Sequence, residues 1–351
     1  MIYPDFPGEG DTIGICAPSA GVGRKLESFD RSLSFLRKKG FRIIETNSVR
    51  QDDIRSARAH VRGSEFNQLV ADKSVKAVIS ASGGEYNNEM LPYIDEKLLA
   101  ENPKWITGAS DPTNILYYVT TKLDIATMYG INAGTFDWEP VNPFPENAVR
   151  ILKGELIKQN SFEMYQGSRS FDSDEVILDS PVRWRLLRPG KNSLSMAGKT
   201  VIPAGSDLLT ESDEEFSVTG RLIGGCSDCI LNLIGTPFDG TKEFLERYRD
   251  EQIIWYLDDF AMDGPSLLRF LTQMEYCGYL RNAAAIIIGR VMFPGMSSDD
   301  DYLMELSQHL SVPVVFNADL GHVKPCFTMI NGAHATVTVK DGRGSLEMVL
   351  D

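Results

Sequence analysis

Histidine is scarce in this chain: four residues, His60, His309, His322 and His334, among 351. A reaction that needs an imidazole has few places to find one. Cysteine is nearly as rare, with Cys16, Cys226, Cys229, Cys277 and Cys326 spread along the whole length. An odd, dispersed set excludes a disulfide framework and fits buried thiols kept reduced, so the chain is expected in the cytoplasm. Cys226 and Cys229 do form a C-x-x-C pair, "CSDC", but no second pair follows at zinc-ligand spacing, and no metal is expected. Long apolar runs are missing, which argues against a bilayer span. The start, "MIYPDFPGEGDTIGICAPS", lacks the cationic and apolar regions of a secretory signal. Positive charge is outnumbered as well, 35 Lys and Arg against 49 Asp and Glu, for a net charge of −14. That balance argues against a nucleic acid polymer or an anionic membrane as the main partner.

What is present is an ordinary globular composition, 42% hydrophobic and 24% charged, over a length that suits two domains. "DTIGICAP" reads as a strand, "ESFDRSLSFLRKKG" as a helix ended by Gly40, and "FRIIET" as a second strand. Strand, helix, strand implies a parallel sheet. The alternation continues through helix "SEFNQLVAD", strand "KAVISAS", helix "NEMLPYIDEKLLAE", strand "KWITGAS", helix "PTNILYYVTTKL" and strand "IATMYG". Residues 1–150 are therefore expected to form a doubly wound α/β domain of flavodoxin or Rossmann type. Between 136 and 220 the pattern changes to short strand-like runs, "EVILDS" and "VRWRLLRP", separated by Gly, Asp, Ser and Lys. It resumes with helical "CILNLIGTP", strand "IIWYLDD", helix "GPSLLRFLTQMEYCG", strands "AAAIIIGRV" and "VPVVFNAD", and a closing hairpin, "HATVTVKDGRGSLEMVL". Residues 151–351 are expected to form a smaller C-terminal α/β domain with a β-rich, barrel-like portion.

Ligands of open parallel sheets bind beyond the carboxyl ends of the strands. Loops at such ends here are "APSAG", "SASGGEYNN", "TGASDPTN", "YLDDFAMDG" and "NADLGHVKP". Ser110 lies in a strand–turn–helix setting, where a tight turn can expose Oγ beside the N–H groups of a helix start. On its own the stretch fits a simple N-cap better, with Asp111 and Pro112 in the first turn. His322 follows an apolar strand in a Gly-preceded loop, a catalytic placement, whereas His60, His309 and His334 read as structural. Asp258 and Asp259 end "IIWYL", and adjacent strand residues cannot face the same way. One can orient an imidazole while the other caps or packs. The acidic loop holding Asp207, Asp213, Glu214 and Glu215 reads as a solvated surface.

Taken in order, these segments resemble the LD-carboxypeptidase family of serine peptidases (peptidase family S66), which includes the microcin C immunity hydrolases. The resemblance is carried by "GDTIGICAPSAGV", "GGEYNNEMLPYID", "NPKWITGASDPTNILYYVTTKLDIATMYG", "GRLIGG", "IIWYLDDF", "LRFLTQMEYCGYLRNAAAIIIGRV", "PVVFNADLGHVKP" and "INGAHATVTV". It implies a catalytic triad in the order Ser, Glu, His. Ser110 matches the nucleophile and His322 the base; Asp258 stands where the family has Glu, with Asp259 as the neighbouring substitute. A second departure puts Cys226 at a position the family gives to Asn. The implied oxyanion hole uses the backbone N–H groups of Asp111 and Gly84, with Gly83 allowing close approach. The implied activity is removal of a C-terminal D-amino acid from murein-derived peptides, without a cofactor, by a homodimer. An alternative is hydrolysis of a peptidyl- or aminoacyl-nucleotide amide, for which Trp184 could stack on a base, although an aromatic in this setting is more often a core residue. Arg183, Arg185, Arg188 and Lys191 could instead receive a substrate carboxylate. The two departures also admit a binding protein on the same fold that has lost turnover.

Overall fold

Short apolar strands build the first sheet. The computed structural model describes residues 1–351 except 138–142, 168–175, 189–193, 197–198, 202–214, 293–305 and 307–309, and gives backbone alone at 194–196 and 199–201. His309, Lys191, Asp207, Asp213 and Glu214 lie outside the described residues.

The chain runs through β1 (Thr12–Cys16), α1 (Leu26–Lys38), β2 (Arg42–Glu45), α2 (Ala59–Ala71), β3 (Val75–Ser80), α3 (Glu96–Glu101), β4 (Trp105–Gly108), α4 (Thr113–Leu123), β5 (Thr127–Tyr129) and α5 (Pro143–Leu152). The five strands are parallel in the order β2-β1-β3-β4-β5, the flavodoxin-like order. β1 is buried throughout because helices cover both faces of such a sheet. α1 turns Phe29, Leu33 and Leu36 inward at helical spacing, and Gly40, at φ +93, ends it as expected. One expected helix divides. Residues 87–101 form a 3-10 turn over Asn87–Tyr93 and then α3, because Pro92 lacks an N–H and Asp95 starts a fresh helix by accepting from the Leu98 N–H at 2.9 Å.

The second half contributes β6 (Gln159–Asn160), a ribbon of β7 (Met164–Tyr165) and β8 (Ser180–Pro181), β9 (Arg185–Leu187), and a ribbon of β10 (Leu194–Met196) and β11 (Lys199–Val201). Then follow β12 (Phe216–Cys226), α6 (Ser227–Leu233), α7 (Thr241–Arg247), β13 (Ile253–Asp258), α8 (Gly264–Tyr276), β14 (Ala283–Gly289), β15 (Val314–Ala318), β16 (Met329–Asn331), β17 (His334–Lys340) and β18 (Arg343–Val349). Eight strands join in the order β6-β18-β17-β12-β13-β14-β15-β9. β12 to β15 are parallel, and the flanks are antiparallel. The expectation of a smaller, barrel-like second half needs correction. This sheet is the larger, eight strands against six, and among the described residues its end strands pair only inward, so it is open. β16 leaves it and pairs antiparallel with β5, making the sixth strand of the first sheet.

The two halves also meet through α4, whose Tyr117 hydroxyl lies 2.6 Å from Thr241 Oγ1 at the start of α7. The carboxyl ends of β3, β4, β13 and β15 are thereby brought to one place. Among the described residues no helix is long and apolar enough to cross a membrane.

Candidate active site

The turn after β4 is tight because of Gly108. A Cβ there would stand 2.8 Å from Pro112 Cβ and 2.9 Å from Ser80 Oγ. Two residues on, Ser110 takes φ +68, a left-handed conformation that costs a non-glycine residue on the order of 1–2 kcal/mol. Its N–H donates to the Tyr129 hydroxyl at 3.1 Å, and its carbonyl accepts from the Thr113 N–H at 2.9 Å. The N-cap alternative is not what the structure has. Pro112 occupies that position of α4 without a side-chain cap, and Ser110 Oγ lies 2.9 Å from His322 Nε2.

The histidine sits on the loop after β15, the acid at the end of β13. His322 Nδ1 lies 3.0 Å from Asp258 Oδ1 and 2.8 Å from Oδ2, and the His322 backbone N–H donates to Oδ1 at 3.1 Å. Because Nδ1 faces carboxylate oxygens, it carries the ring proton, which leaves Nε2 free to accept from Ser110. Aspartate is one methylene shorter than glutamate, and the backbone makes up the difference. Gly321 (φ +96) approaches so closely that an added Cβ would overlap Asp258 Oδ1. The Tyr129 hydroxyl donates to Asp258 Oδ2, Ser227 Oγ donates to the Asp258 carbonyl at 3.1 Å, and the Phe260 ring lies 4.4 Å from the imidazole.

Asp259 faces away from this line. Its Oδ1 accepts from the Met262 N–H at 3.1 Å, while its buried Oδ2 has no partner among the described residues. Burial, helped by the nearby Asp228 charge, pushes its carboxyl up to about 8.

Gly83 and Gly84 come from the loop after β3. A Cβ on Gly83 would lie 3.0 Å from Ser110 Cβ, so the glycine backbone runs alongside the serine. Among the described residues the N–H groups of Gly84 and Asp111 donate to no protein acceptor. Two such donors beside the half-buried Ser110 can receive an oxyanion. The Asp111 side chain holds the surrounding loops: it accepts from Ser19 Oγ, from the Asn87 N–H at 2.8 Å and from Asn114 Nδ2 at 2.9 Å. Burial raises its carboxyl despite those donors.

Cys226 and Cys229 lie at the start of α6, with Cys229 Sγ 3.7 Å from the Ser110 carbonyl. The Cys226 thiol is raised well above its ordinary value by its bond with Cys229 and by burial. For Cys229 the same bond acts downward, but burial and the nearby carboxylates leave it raised. Among the described residues no group of three or more His, Cys, Asp or Glu is arranged to hold a metal ion.

Trp184 is set apart from this cluster. It is buried, donates from Nε1 to Asp319 Oδ2 at 2.8 Å, and packs on Phe327 and on Gly344, whose missing Cβ makes room for the ring. Arg185 lies on β9, opposite Phe316 of β15, and Arg188 rests over Phe216. His60 is on α2 beside Tyr93, and His334, at the start of β17, places Nε2 2.6 Å from Glu251.

Sequence reasoning missed Tyr129 and Ser19, which touch the site from neighbouring strand ends, and it also missed Arg290. The Arg290 guanidinium pairs with Asp319 and donates to the carbonyls of Val323 and Pro325 at 3.3 and 3.4 Å, bracing the His322 loop from beneath. "GRV" directly after an apolar strand was the available signal.

Comparison with known proteins bears on the family and the fold. Residues 13–130 match the LD-carboxypeptidase N-terminal domain and residues 219–337 the LD-carboxypeptidase C-terminal domain. A Vibrio cholerae protein bearing a provisional carboxypeptidase name is 23% identical over 99% of this chain and 98% of its own. The microcin C7 self-immunity protein MccF of Escherichia coli is 25% identical over 93% of this chain and 90% of its own. Among solved structures, an MccF-like protein of Bacillus anthracis superposes with a TM-score of 0.78 at 20% identity, each chain covered fully. MccF in complex with aspartyl sulfamoyl adenosine gives 0.75 at 20% identity, over 100% and 99% of the two chains. A muramoyltetrapeptide carboxypeptidase of Oxalobacter formigenes gives 0.70 at 19% identity, over 96% and 98%.

Proposed function

Because the chain belongs to the LD-carboxypeptidase family, peptidase family S66, we propose that it is a serine-type amide hydrolase that removes a C-terminal D-amino acid from murein-derived peptides. Ser110 is the nucleophile, His322 the general base and acid, and Asp258 the group that orients the imidazole. The observation that carries this reading is the unbroken line from Ser110 Oγ to His322 Nε2, 2.9 Å, and from Nδ1 to Asp258, 2.8 Å.

The chemistry follows from the atoms in that line. Ser110 Oγ attacks the scissile carbonyl carbon while its proton passes to His322 Nε2. The carbonyl oxygen takes up negative charge and accepts from the Gly84 and Asp111 N–H groups, the backbone donors beside the nucleophile. As the C–N bond breaks, Nε2 returns the proton to the leaving amine, and the acyl group stays on Ser110. A water then repeats the sequence with His322 as base, freeing the shortened peptide and restoring Oγ–H. Asp258 stabilises the imidazolium that forms twice.

A second reading has a specific basis: the 25% identity to MccF, solved structures of which hold adenosine monophosphate and aspartyl sulfamoyl adenosine. On that reading the scissile amide joins an aminoacyl group to a nucleotide, and the same triad serves. Side-by-side hydrolysis of an L,D-tetrapeptide and of an aminoacyl sulfamoyl adenosine, with wild type and Ser110→Ala, decides between them. Tetrapeptide turnover lost in the variant supports the first. Tight binding of either compound without turnover would establish the binding-protein alternative and sink both enzymes. Sedimentation of the purified chain tests the proposed homodimer.

A further inference from the structure

Between the nucleophile and the acid stands a hydroxyl. Tyr129 ends β5, and the parallel register sets it opposite Gly108 of β4, two residues before Ser110. Its ring is buried and tilted against Tyr256, with centroids 5.9 Å apart. The oxygen accepts the Ser110 N–H at 3.1 Å and donates its own proton to Asp258 Oδ2. From this geometry we infer that Tyr129 is a positioning residue for acyl transfer, its single hydroxyl setting both the backbone of Ser110 and the acceptor strength of Asp258. The inference rests on the triad proposed above.

Each bond has a separate consequence. Ser110 holds a left-handed conformation that needs outside support, and an acceptor on its N–H fixes the peptide plane entering the turn. The same bond occupies the Ser110 N–H, leaving Gly84 and Asp111 as the donors available to an oxyanion. On the other side, a carboxylate that already receives an O–H is a weaker acceptor toward Nδ1. The ring proton then stays on His322 while the imidazole remains aligned. The phenol is a donor under all working conditions, since burial and the Asp258 charge raise it well above its ordinary value. The Cys226 N–H, by contrast, is held by Thr113 Oγ1 at 3.0 Å, so that donor braces α4.

The test is Tyr129→Phe, which keeps the ring and removes the oxygen. Two measurements are made on the full chain. One is the second-order rate at which a fluorophosphonate labels Ser110. The other is the proton NMR resonance of the His322 imidazole N–H, identified by its loss in His322→Ala; with four histidines in the chain, the region is sparse. The expected result is a labelling rate lower by about tenfold or more, with the imidazole proton retained and moved downfield by about 0.5 ppm or more as Asp258 becomes a stronger acceptor. A slower rate with the proton unmoved would mean that the hydroxyl does not set the acceptor strength of Asp258, and overturns the inference. So does an unchanged rate. If Tyr129→Phe does not fold, wild type made with 3-fluorotyrosine gives the reciprocal measurement. A more acidic hydroxyl weakens Asp258 as acceptor and moves the proton upfield; no movement overturns the inference. A wild type that is never labelled at Ser110 sinks the hydrolase reading, while the imidazole proton still reports on Tyr129.

Discussion

Gly321→Ala is the substitution whose consequence can be worked furthest. The glycine has φ +96, where an L side chain is strained, and an added Cβ falls about 1 Å inside the closest approach that real Cβ atoms make, with Asp258 Oδ1 as the obstacle. Two effects separate. The backbone effect, on the order of 1–2 kcal/mol, is shared with Gly278, which has φ +78 and nothing within 4 Å of an added Cβ. The steric effect belongs to Gly321. Either the His322 backbone or the Asp258 carboxylate must retreat by about 1 Å, and the 2.8 Å contact between Nδ1 and Oδ2 lengthens. A misplacement of about 1 Å is worth roughly 100-fold in rate, or about 2.7 kcal/mol of barrier. Thermal unfolding and fluorophosphonate labelling of Gly321→Ala and Gly278→Ala are measured together. Both variants are expected to lose a few degrees in Tm, while Gly321→Ala alone loses about two orders of magnitude in labelling rate. Equal labelling rates in the two variants would refute the reasoning, because the close approach would then not be what lets a short acid reach the histidine.

The two adjacent acids separate in the same assays. Asp258→Asn is expected to lower kcat by on the order of 10³ to 10⁴-fold, and Asp259→Asn to leave it within about threefold; the reverse pattern would transfer the orienting role to Asp259. Asp259 also carries a pH signature. Its folded value, about 8, lies above the unfolded carboxylate value, so the native state binds the extra proton. Stability is then fully present below about pH 4 and falls as pH rises toward 8, by on the order of a few kcal/mol. Asp259→Asn should flatten Tm between pH 5 and 8, and an undiminished slope would show that the carboxyl is not held protonated. Gly84→Ala, whose Cβ would overlap Ser19 Oγ, is expected to displace an oxyanion donor and lower kcat by about 10² to 10³-fold with the fold intact by circular dichroism. Iodoacetamide at pH 8 should modify the half-buried Cys277 well before the buried Cys16, Cys226, Cys229 and Cys326, as peptide mass mapping would show.

How much of this was legible beforehand depends on the distance over which each cause acts. The βαβ alternation is local, and the strands and helices of the first half stood near where periodicity put them. Pro92 and Asp95 are also local signals: a missing N–H and a capping carboxylate divide what apolar spacing alone joins into one helix. The strand-end loops holding Ser110, His322 and Asp258 could be picked out by residue type, and the structure brings those three side chains into one hydrogen-bonded line. Tyr129 could not be picked out in that way. As a residue of "IATMYG" it looks like one more apolar strand position, and its chemistry arises from β5 lying beside β4 in a particular register. Trp184 is the opposite case. Of its two readings, a base-stacking ring and a core ring, the structure has the core one, because Gly344 leaves a hollow that the ring fills. The open shape of the second sheet likewise depends on pairings between segments far apart in the chain, which no window of residues reports.

The exchange of β16 between sheets has a consequence for how this molecule can be divided. The loop bearing His322 starts from β15 in one sheet and ends at β16 in the other. Just there, the buried Asn331 side chain accepts from the Gly224 N–H at 3.0 Å and from the Tyr256 hydroxyl at 2.7 Å, and reaches Thr127 Oγ1 at 3.3 Å. Three strands from two sheets are sutured through one amide. A gene fragment ending after α5 would leave β5 as a raw edge, an invitation to aggregate. A fragment beginning after it would carry a histidine loop with one end loose. Exchanging one half for that of a relative would therefore have to preserve the β5–β16 pairing and the three Asn331 contacts at once.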